Sequence, residues 1–225
     1  MRREIIGNCE LHLGDCLEIL PEIALEKTRW PITLVTDPVW PNNSIPEFAD
    51  INPYELFADT WRLIDCYVQA KRAVIQLGCD SDPLFLRPIT LPFFRVAWLE
   101  YALPGNKGRL LYNGDVAYMF GTPPKAVPGK KLIAGKCIST NNLGKEADHP
   151  CPRKLAHVRW LVHQFTEFND EVLDPFMGSG TTGVAAAEQN RKFIGIEINE
   201  KYFDTACKRI EEVVRQQNFN FGGTE

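Results

Sequence analysis

Residues 173–199 read LDPFMGSGTTGVAAAEQNRKFIGIEIN. The stretch EVLDPF at 171–176 is a short apolar run of strand type, and KFIGIEI at 192–198 is another. Between them GSGTTGVAAAEQN opens as a glycine turn and continues as a helix. A strand, a crossover helix and a second strand form the unit of a parallel sheet. Its turn lies outside the carboxyl end of the first strand, where open α/β sheets take ligands. Gly178 and Gly180 let backbone approach a ligand closely. Ser179, Thr181 and Thr182 supply hydroxyls there and are expected to cap the helix that follows. The turn is no phosphate loop, because GxxxxGK followed by Ser or Thr is absent, and GxGxxG is absent in its usual spacing. Glu197 ends the second strand about twenty residues on, where an acid can accept from both hydroxyls of a ribose.

Working outward, the same alternation continues. Residues 200–217, EKYFDTACKRIEEVVRQQ, read as a helix, and the tail NFNFGGTE is expected to fray. Upstream, RKLAHVRWLVHQFTE at 153–167 is an amphipathic helix. At the other end, CELHLG is a strand and a helix begins near Asp15. ITLVTDPVW is a buried strand that stops at Asp37 and Pro38, since proline cannot donate to a ladder. A Pro- and Asn-rich loop follows at 41–53, then a helix at 54–70 and a strand at 72–78. Residues 95–121 read as two strands flanking a Gly/Asn turn. From 122 to 148 regularity dissolves, and a loop that long is usually functional or disordered. The expected fold class is α/β, a Rossmann-like, mostly parallel sheet with helices on both faces.

Bulk properties agree with one soluble domain over 1–225. Its 225 residues are 44% apolar, enough for a core. No apolar run is long enough to span a membrane, and MRREIIGNCELHL lacks a signal peptide's features, so a cytoplasmic location is the expectation. Seven cysteines show no ligand spacing, so free thiols and no metal are expected. The net charge of −4 counts mildly against a nucleic-acid partner. Its distribution counts the other way. Lys125, Lys130, Lys131, Lys136, Lys145, Arg153, Lys154 and Arg159 cluster against only Glu146 and Asp148, while 47–65 is acidic. One side of the molecule is then positive.

The 173–199 run resembles the S-adenosylmethionine-binding motifs of the amino-methylating DNA methyltransferases. By that resemblance Asp174, Pro175, Phe176, Gly178, Gly180 and Thr181 line the cofactor pocket, with Ser179 and Thr182 beside them, and Glu197 holds the ribose. HPCPRKLAHVRWLVHQF resembles the family segment in which His-Pro introduces a helix beside the methionine end of the cofactor, which implicates His149. The family often has Lys then Pro in this segment; here Arg153 and Lys154 stand instead, which leaves open which of the two, if either, meets the cofactor carboxylate, Arg153 being the candidate carried forward. LHLGDCLEIL resembles the family's Gly-Asp segment, placing Asp15 near the cofactor adenine; Asp15 also reads as a helix N-cap.

TDPVW at 36–40 resembles the family's catalytic tetrapeptide, Asp/Asn/Ser-Pro-Pro-Tyr/Phe/Trp, with Val39 replacing the second proline. The residue types fit the chemistry. An exocyclic amine on a base is a poor nucleophile, because its lone pair is delocalised into the ring. Two acceptors holding its hydrogens, the Asp37 carboxylate and the Pro38 carbonyl, turn the nitrogen toward tetrahedral geometry and meet its developing positive charge. Trp40 is placed to stack on a base flipped out of the duplex. Val39 adds backbone freedom and restores an N–H.

The catalytic motif precedes the cofactor motif, which is the order of the family's beta group. The resemblance covers about 1–40 and 149–212 well. It implies a catalytic half at 1–120, a short target-recognition loop at 121–148 and a cofactor half at 149–225. Lys125, Lys130, Lys131 and Lys136 would face DNA phosphates. The implied activity is methylation of adenine N6 in DNA, since Asp opens the tetrapeptide. Cytosine N4 is the alternative, and a weakly catalytic cofactor- and DNA-binding homologue the third reading. A homodimer, frequent in the beta group, is a further expectation.

Overall fold

The computed structural model describes residues 2–26, 32–42, 45–125, 132–139, 153–168 and 170–221. Its strands are β1 (Arg2–Ile6), β2 (Cys9–Leu13), β3 (Ile32–Thr36), β4 (Arg72–Gly78), β5 (Phe93–Lys107), β6 (Leu110–Gly121), β7 (Lys136–Ser139), β8 (Glu171–Asp174) and β9 (Lys192–Glu197). The helices are α1 (Cys16–Glu26), α2 (Pro53–Leu63), α3 (Leu155–Phe165), α4 (Thr181–Glu188) and α5 (Glu200–Phe221). All nine strands join one sheet in the order β1-β2-β9-β8-β3-β4-β6-β5-β7. The run from β2 to β4 is parallel, and β6 turns the sheet antiparallel beyond it.

The central strands are buried on both faces, and alternate residues serve opposite cores. Leu34, Ile75, Leu173 and Ile194 pack with Ile19 and Leu20 of α1 and with Phe57 and Trp61 of α2. Val35, Val74, Val172 and Phe193 pack with Leu161 of α3, Ala185 of α4 and Phe203 of α5. Helices therefore cover both faces, as the continuous apolar strand runs require. Asn52 caps α2 with its side chain, accepting from the amide of Tyr54 at 3.2 Å, and Pro53 fills the first turn.

The fold departs from the expected elements in four places. The first is β1, an extra strand pairing antiparallel with β2 at the sheet edge. The second is β7, which lies inside the stretch expected to be loop and pairs parallel with β5, Trp98 opposite Lys136. The third is α5, whose backbone stays helical to Phe221 although the tail from Asn218 is expected to fray. The fourth is the helix expected at 54–70, which ends at Leu63, continues as a π-helical turn over Ile64–Val68, and is closed by Gln69 at φ 53°.

The β5–β6 hairpin is unusually long. Gly78, the last residue of β4, pairs with Asp115. The five β6 residues before Asp115 and the facing part of β5 thus run past the carboxyl edge of the sheet. A two-residue turn closes the hairpin, with Gly108 at φ 61°. Leu103, Leu110 and Leu111 on its arms are 72%, 68% and 64% exposed.

Candidate active site

Two loops leave the carboxyl ends of adjacent strands. β3 delivers Asp37, Pro38, Val39 and Trp40; β8 delivers Asp174, Pro175, Phe176 and the glycine turn. The strands pair directly, Leu34 opposite Leu173. A hydrogen bond from the Thr36 hydroxyl to Asp174 Oδ1, 2.6 Å, joins the two loops at their roots. They open into one cavity of about 660 Å³, lined by residues of both, by Asp15 and by Glu197.

The glycine turn after β8 is built by backbone. Gly178 and Gly180 take φ of 53° and 80°. A Cβ at Gly180 would stand 2.7 Å from Ala206 Cβ, so glycine also allows α5 to approach. The Gly178 amide donates to Glu197 Oε2 at 2.9 Å, and the Asn199 amide to Oε1 at 2.8 Å. The Gly14 amide reaches the Glu197 carbonyl at 2.9 Å, bringing the start of α1 to the same rim. Burial pushes the Glu197 carboxyl up to about 7 and the Asp174 carboxyl up to about 6.

The expected capping role of the hydroxyls is corrected. Gly180 itself is the N-cap of α4, with no side-chain cap. Ser179 and Thr181 turn their hydroxyls to Arg209 Nη1, each at 3.2 Å, and Arg209 also holds the Ser179 carbonyl at 2.6 Å. Thr182 bonds Asp174. Arg209 on α5 thus braces the turn from behind. Sequence reading missed it, because an arginine on an amphipathic helix carries no signal of where its head goes. Asp15 is the cap expected of it and stands on the cavity wall. Its carboxylate accepts from the Leu17 amide at 2.9 Å, starting α1, and it lines the cavity.

At the loop after β3, Trp40 Nε1 donates to Asp37 Oδ1 at 2.8 Å and Arg153 Nε donates to Asp37 Oδ2. The guanidinium carbon of Arg153 sits 3.8 Å from the centroid of a Trp40 ring. A Cβ at Gly78 would stand 2.6 Å from Trp40 Cζ3, so glycine at the end of β4 makes room for the indole. Burial raises the Asp37 carboxyl, and Arg153 opposes that shift. Arg153, a candidate for the cofactor carboxylate, thus lies on Asp37. Asp115, 3.9 Å from Arg153 Nη1, and Tyr101, whose hydroxyl bonds Asp115, back this cluster and were not anticipated.

Gln76 on β4, beyond the Thr36–Ile75 pair, lines the same cavity. It is 4% exposed, and its Nε2 lacks a hydrogen-bond partner among the described residues. A buried donor without a partner is costly, which suits an acceptor arriving with a ligand.

Of the DNA-facing candidates, Lys125 and Lys136 are exposed. Lys136 pairs with Glu100 at 3.1 Å. Lys130, Lys131 and the cofactor candidate His149 lie outside the described residues. No helix among the described residues is long and apolar enough to cross a membrane.

The family model for DNA methylases that modify amine nitrogens, N6 or N4, matches residues 23–208. The chain belongs to this DNA methylase family. Among curated relatives of this methylase, the type II methyltransferase M.BglI of Bacillus subtilis is 42% identical over 154 residues, 64% of this chain and 44% of that one. The chain spans less than half the length of the curated relatives it matches first. Two solved structures share the fold. One is M1.HpyAVI in complex with SAM, at TM-score 0.66 and 23% identity, covering 89% of this chain and 99% of the other. The second is the cytosine-N4-specific PvuII DNA methyltransferase, at TM-score 0.67 and 16% identity, covering 94% and 91%.

Proposed function

We propose that this methylase transfers a methyl group from S-adenosylmethionine to the exocyclic N6 amine of adenine in DNA. The observation that carries the reading is the shared cavity. Asp37 and Trp40 line the same space as Gly178 and Glu197, although about 140 residues of chain separate the two motifs.

The lining suits the cofactor. Its carboxylates are Asp15, Asp37, Glu55, Asp59, Asp80, Asp174 and Glu197, and the one Lys or Arg among the described lining residues is Arg153. Such a wall favours a ligand bearing sulfonium and ammonium charges and disfavours a polyphosphate. The volume holds a ligand of nucleoside size with space beside it. S-adenosylmethionine supplies a methyl carbon already activated by a positive sulfur. Glu197 presents acceptors to ribose hydroxyls, and the glycine turn passes backbone close to the ligand. Asp174, Pro175 and Phe176 shape the turn, and Asp15 stands at the nucleoside end.

Asp37 and the Pro38 carbonyl hold the two amine hydrogens, so the nitrogen lone pair is released for in-line attack. Trp40 stacks the flipped base. The Gln76 amide is placed to donate to the ring nitrogen beside the amine. Adenine N1 and cytosine N3 are acceptors there, whereas guanine N1 is a donor. DNA lies against the carboxyl edge of the sheet, where the hairpin leucines, Arg109 and Lys136 meet it; Lys125 follows Thr122, which bonds Lys71 at the opposite, amino edge, and is not part of this surface. Asp at the head of the tetrapeptide favours adenine.

The experiment is transfer of labelled methyl to unmodified DNA, followed by nucleoside analysis. N6-methyladenine is expected. N4-methylcytosine would move the reading to the alternative base with the same geometry. Cofactor and DNA binding with no transfer overturns the catalytic reading in favour of a binding homologue, with Val39 as the feature that would explain it.

A further inference from the structure

The most telling feature of the site is what already sits in it. Asp37 is held at both oxygens, by Trp40 Nε1 at 2.8 Å and by Arg153 Nε. The same guanidinium covers the indole, its central carbon 3.8 Å from a ring centroid. A guanidinium is flat, and its N–C–N edge donates hydrogen bonds in plane. The edge of adenine or cytosine that carries the exocyclic amine has the same N–C–N framework. Arg153 thus makes the two contacts the reading above gives to the target base: an N–H to Asp37 and a flat face on Trp40. Gly78, against the indole's Cζ3, limits how far the ring can retreat.

We infer that Arg153 occupies the seat of the target base while no base is present, and that a base enters by displacing it. The inference rests on the amine-methylating function proposed above. Two consequences follow from the contacts. A buried Asp37 keeps a counter-charge while it waits, which opposes the upward push of burial on its carboxyl. A base must also compete with a tethered occupant, so apparent affinity is lowered by the fraction of molecules in which the seat is filled. The device favours a flipped base that satisfies both the aspartate and the tryptophan over one that makes a single contact. Arg153 is on this view a positioning residue: it shapes access to Asp37 and leaves as the reaction complex forms.

The test is steady-state methyl transfer to unmodified DNA at mildly alkaline pH, comparing the wild type with Arg153→Ala and Arg153→Lys. Arg153→Ala should lower the KM for DNA by roughly tenfold. Methylguanidinium should then inhibit it competitively against DNA, while leaving the wild type unaffected. The acid limb of its kcat/KM profile should also move upward, since Asp37 of the free enzyme has lost its counter-charge, while that of kcat should stay where it is, because the base has displaced Arg153 in the complex. Arg153→Lys, which keeps the charge but not the flat fork, should fall between. A raised KM for DNA in Arg153→Ala, or no effect of methylguanidinium, overturns the inference and makes Arg153 an ordinary ligand contact. Should the wild type methylate no DNA, the functional reading fails separately. Quenching of tryptophan fluorescence by methylguanidinium then decides: quenching in Arg153→Ala that is lost in the double variant with Trp40→Phe supports the seat, and its absence overturns it. If Arg153→Ala does not fold, Arg153→Lys alone decides, by a lowered or an unlowered KM for DNA.

Discussion

The Thr36 hydroxyl donates to Asp174 Oδ1 at 2.6 Å, and both groups are buried. This bond ties the last residue of β3 to the last residue of β8. Thr36→Val keeps the β-branched shape but leaves a buried carboxylate short of a donor. We expect a loss of about 1–3 kcal/mol in unfolding free energy. A melting temperature equal to wild type would show the bond to be dispensable.

Asp37→Ala separates the two halves of the site. It removes the acceptor for the target amine but touches nothing around Gly178 or Glu197. Turnover should fall by about 10³-fold, with cofactor affinity nearly unchanged. Calorimetric titration of S-adenosylmethionine checks the second part, and a large loss of affinity would contradict the division of labour.

If Glu197 holds the ribose as proposed, cofactor binding is sensitive to pH. Burial holds its carboxyl up at about 7, and ribose hydroxyls donate best to the ionised form. Binding therefore releases a proton, and affinity should weaken toward tenfold per pH unit below about 7. The unliganded protein behaves oppositely. A folded value above the ordinary 4.5 means that protonation favours the native state. That contribution is fully present below the ordinary value and is lost as pH rises through about 7. Glu197→Gln should flatten both dependences; a pH-independent wild-type affinity would refute the ribose contact.

Gly78→Ala tests the seat of Trp40. The added methyl carbon would lie 2.6 Å from the indole Cζ3 and 3.1 Å from Asp80 Oδ1, so the ring must shift. KM for DNA should rise several-fold while cofactor affinity holds. An unchanged KM would mean that the indole position is immaterial to the substrate.

The hairpin makes a surface prediction. Leu103, Leu110 and Leu111 bury little of their surface, so replacing all three with serine should cost little stability. Retained fold with several-fold weaker DNA binding, measured by fluorescence anisotropy at fixed salt, is the expected pair of results. Unaltered DNA affinity would remove the hairpin from the interface.

The parallel core was legible because its strands are continuous apolar runs and its ligand turn needs glycine at positive φ. Asp37 and Glu197 could be named because each stands at the end of such a run. What escaped were contacts decided by long side chains at a distance. Arg153 reaches Asp37 across 116 positions, and Arg209 reaches Ser179 across 30. No local pattern tells where a guanidinium will settle. The strand β7 was hidden for a similar reason. A four-residue segment in a Gly- and Lys-rich stretch becomes a strand only because β5 offers it an open edge.

The joint between β3 and β8 has a consequence for how the protein comes into being. Its two strands are neighbours in space but arise from opposite ends of the chain. The cavity is lined from both, so it is complete only when distant parts of the chain have met. Such non-local pairing slows assembly. A ligand bridging the joint would in turn act as a clasp, raising the resistance of the finished molecule to opening along that line.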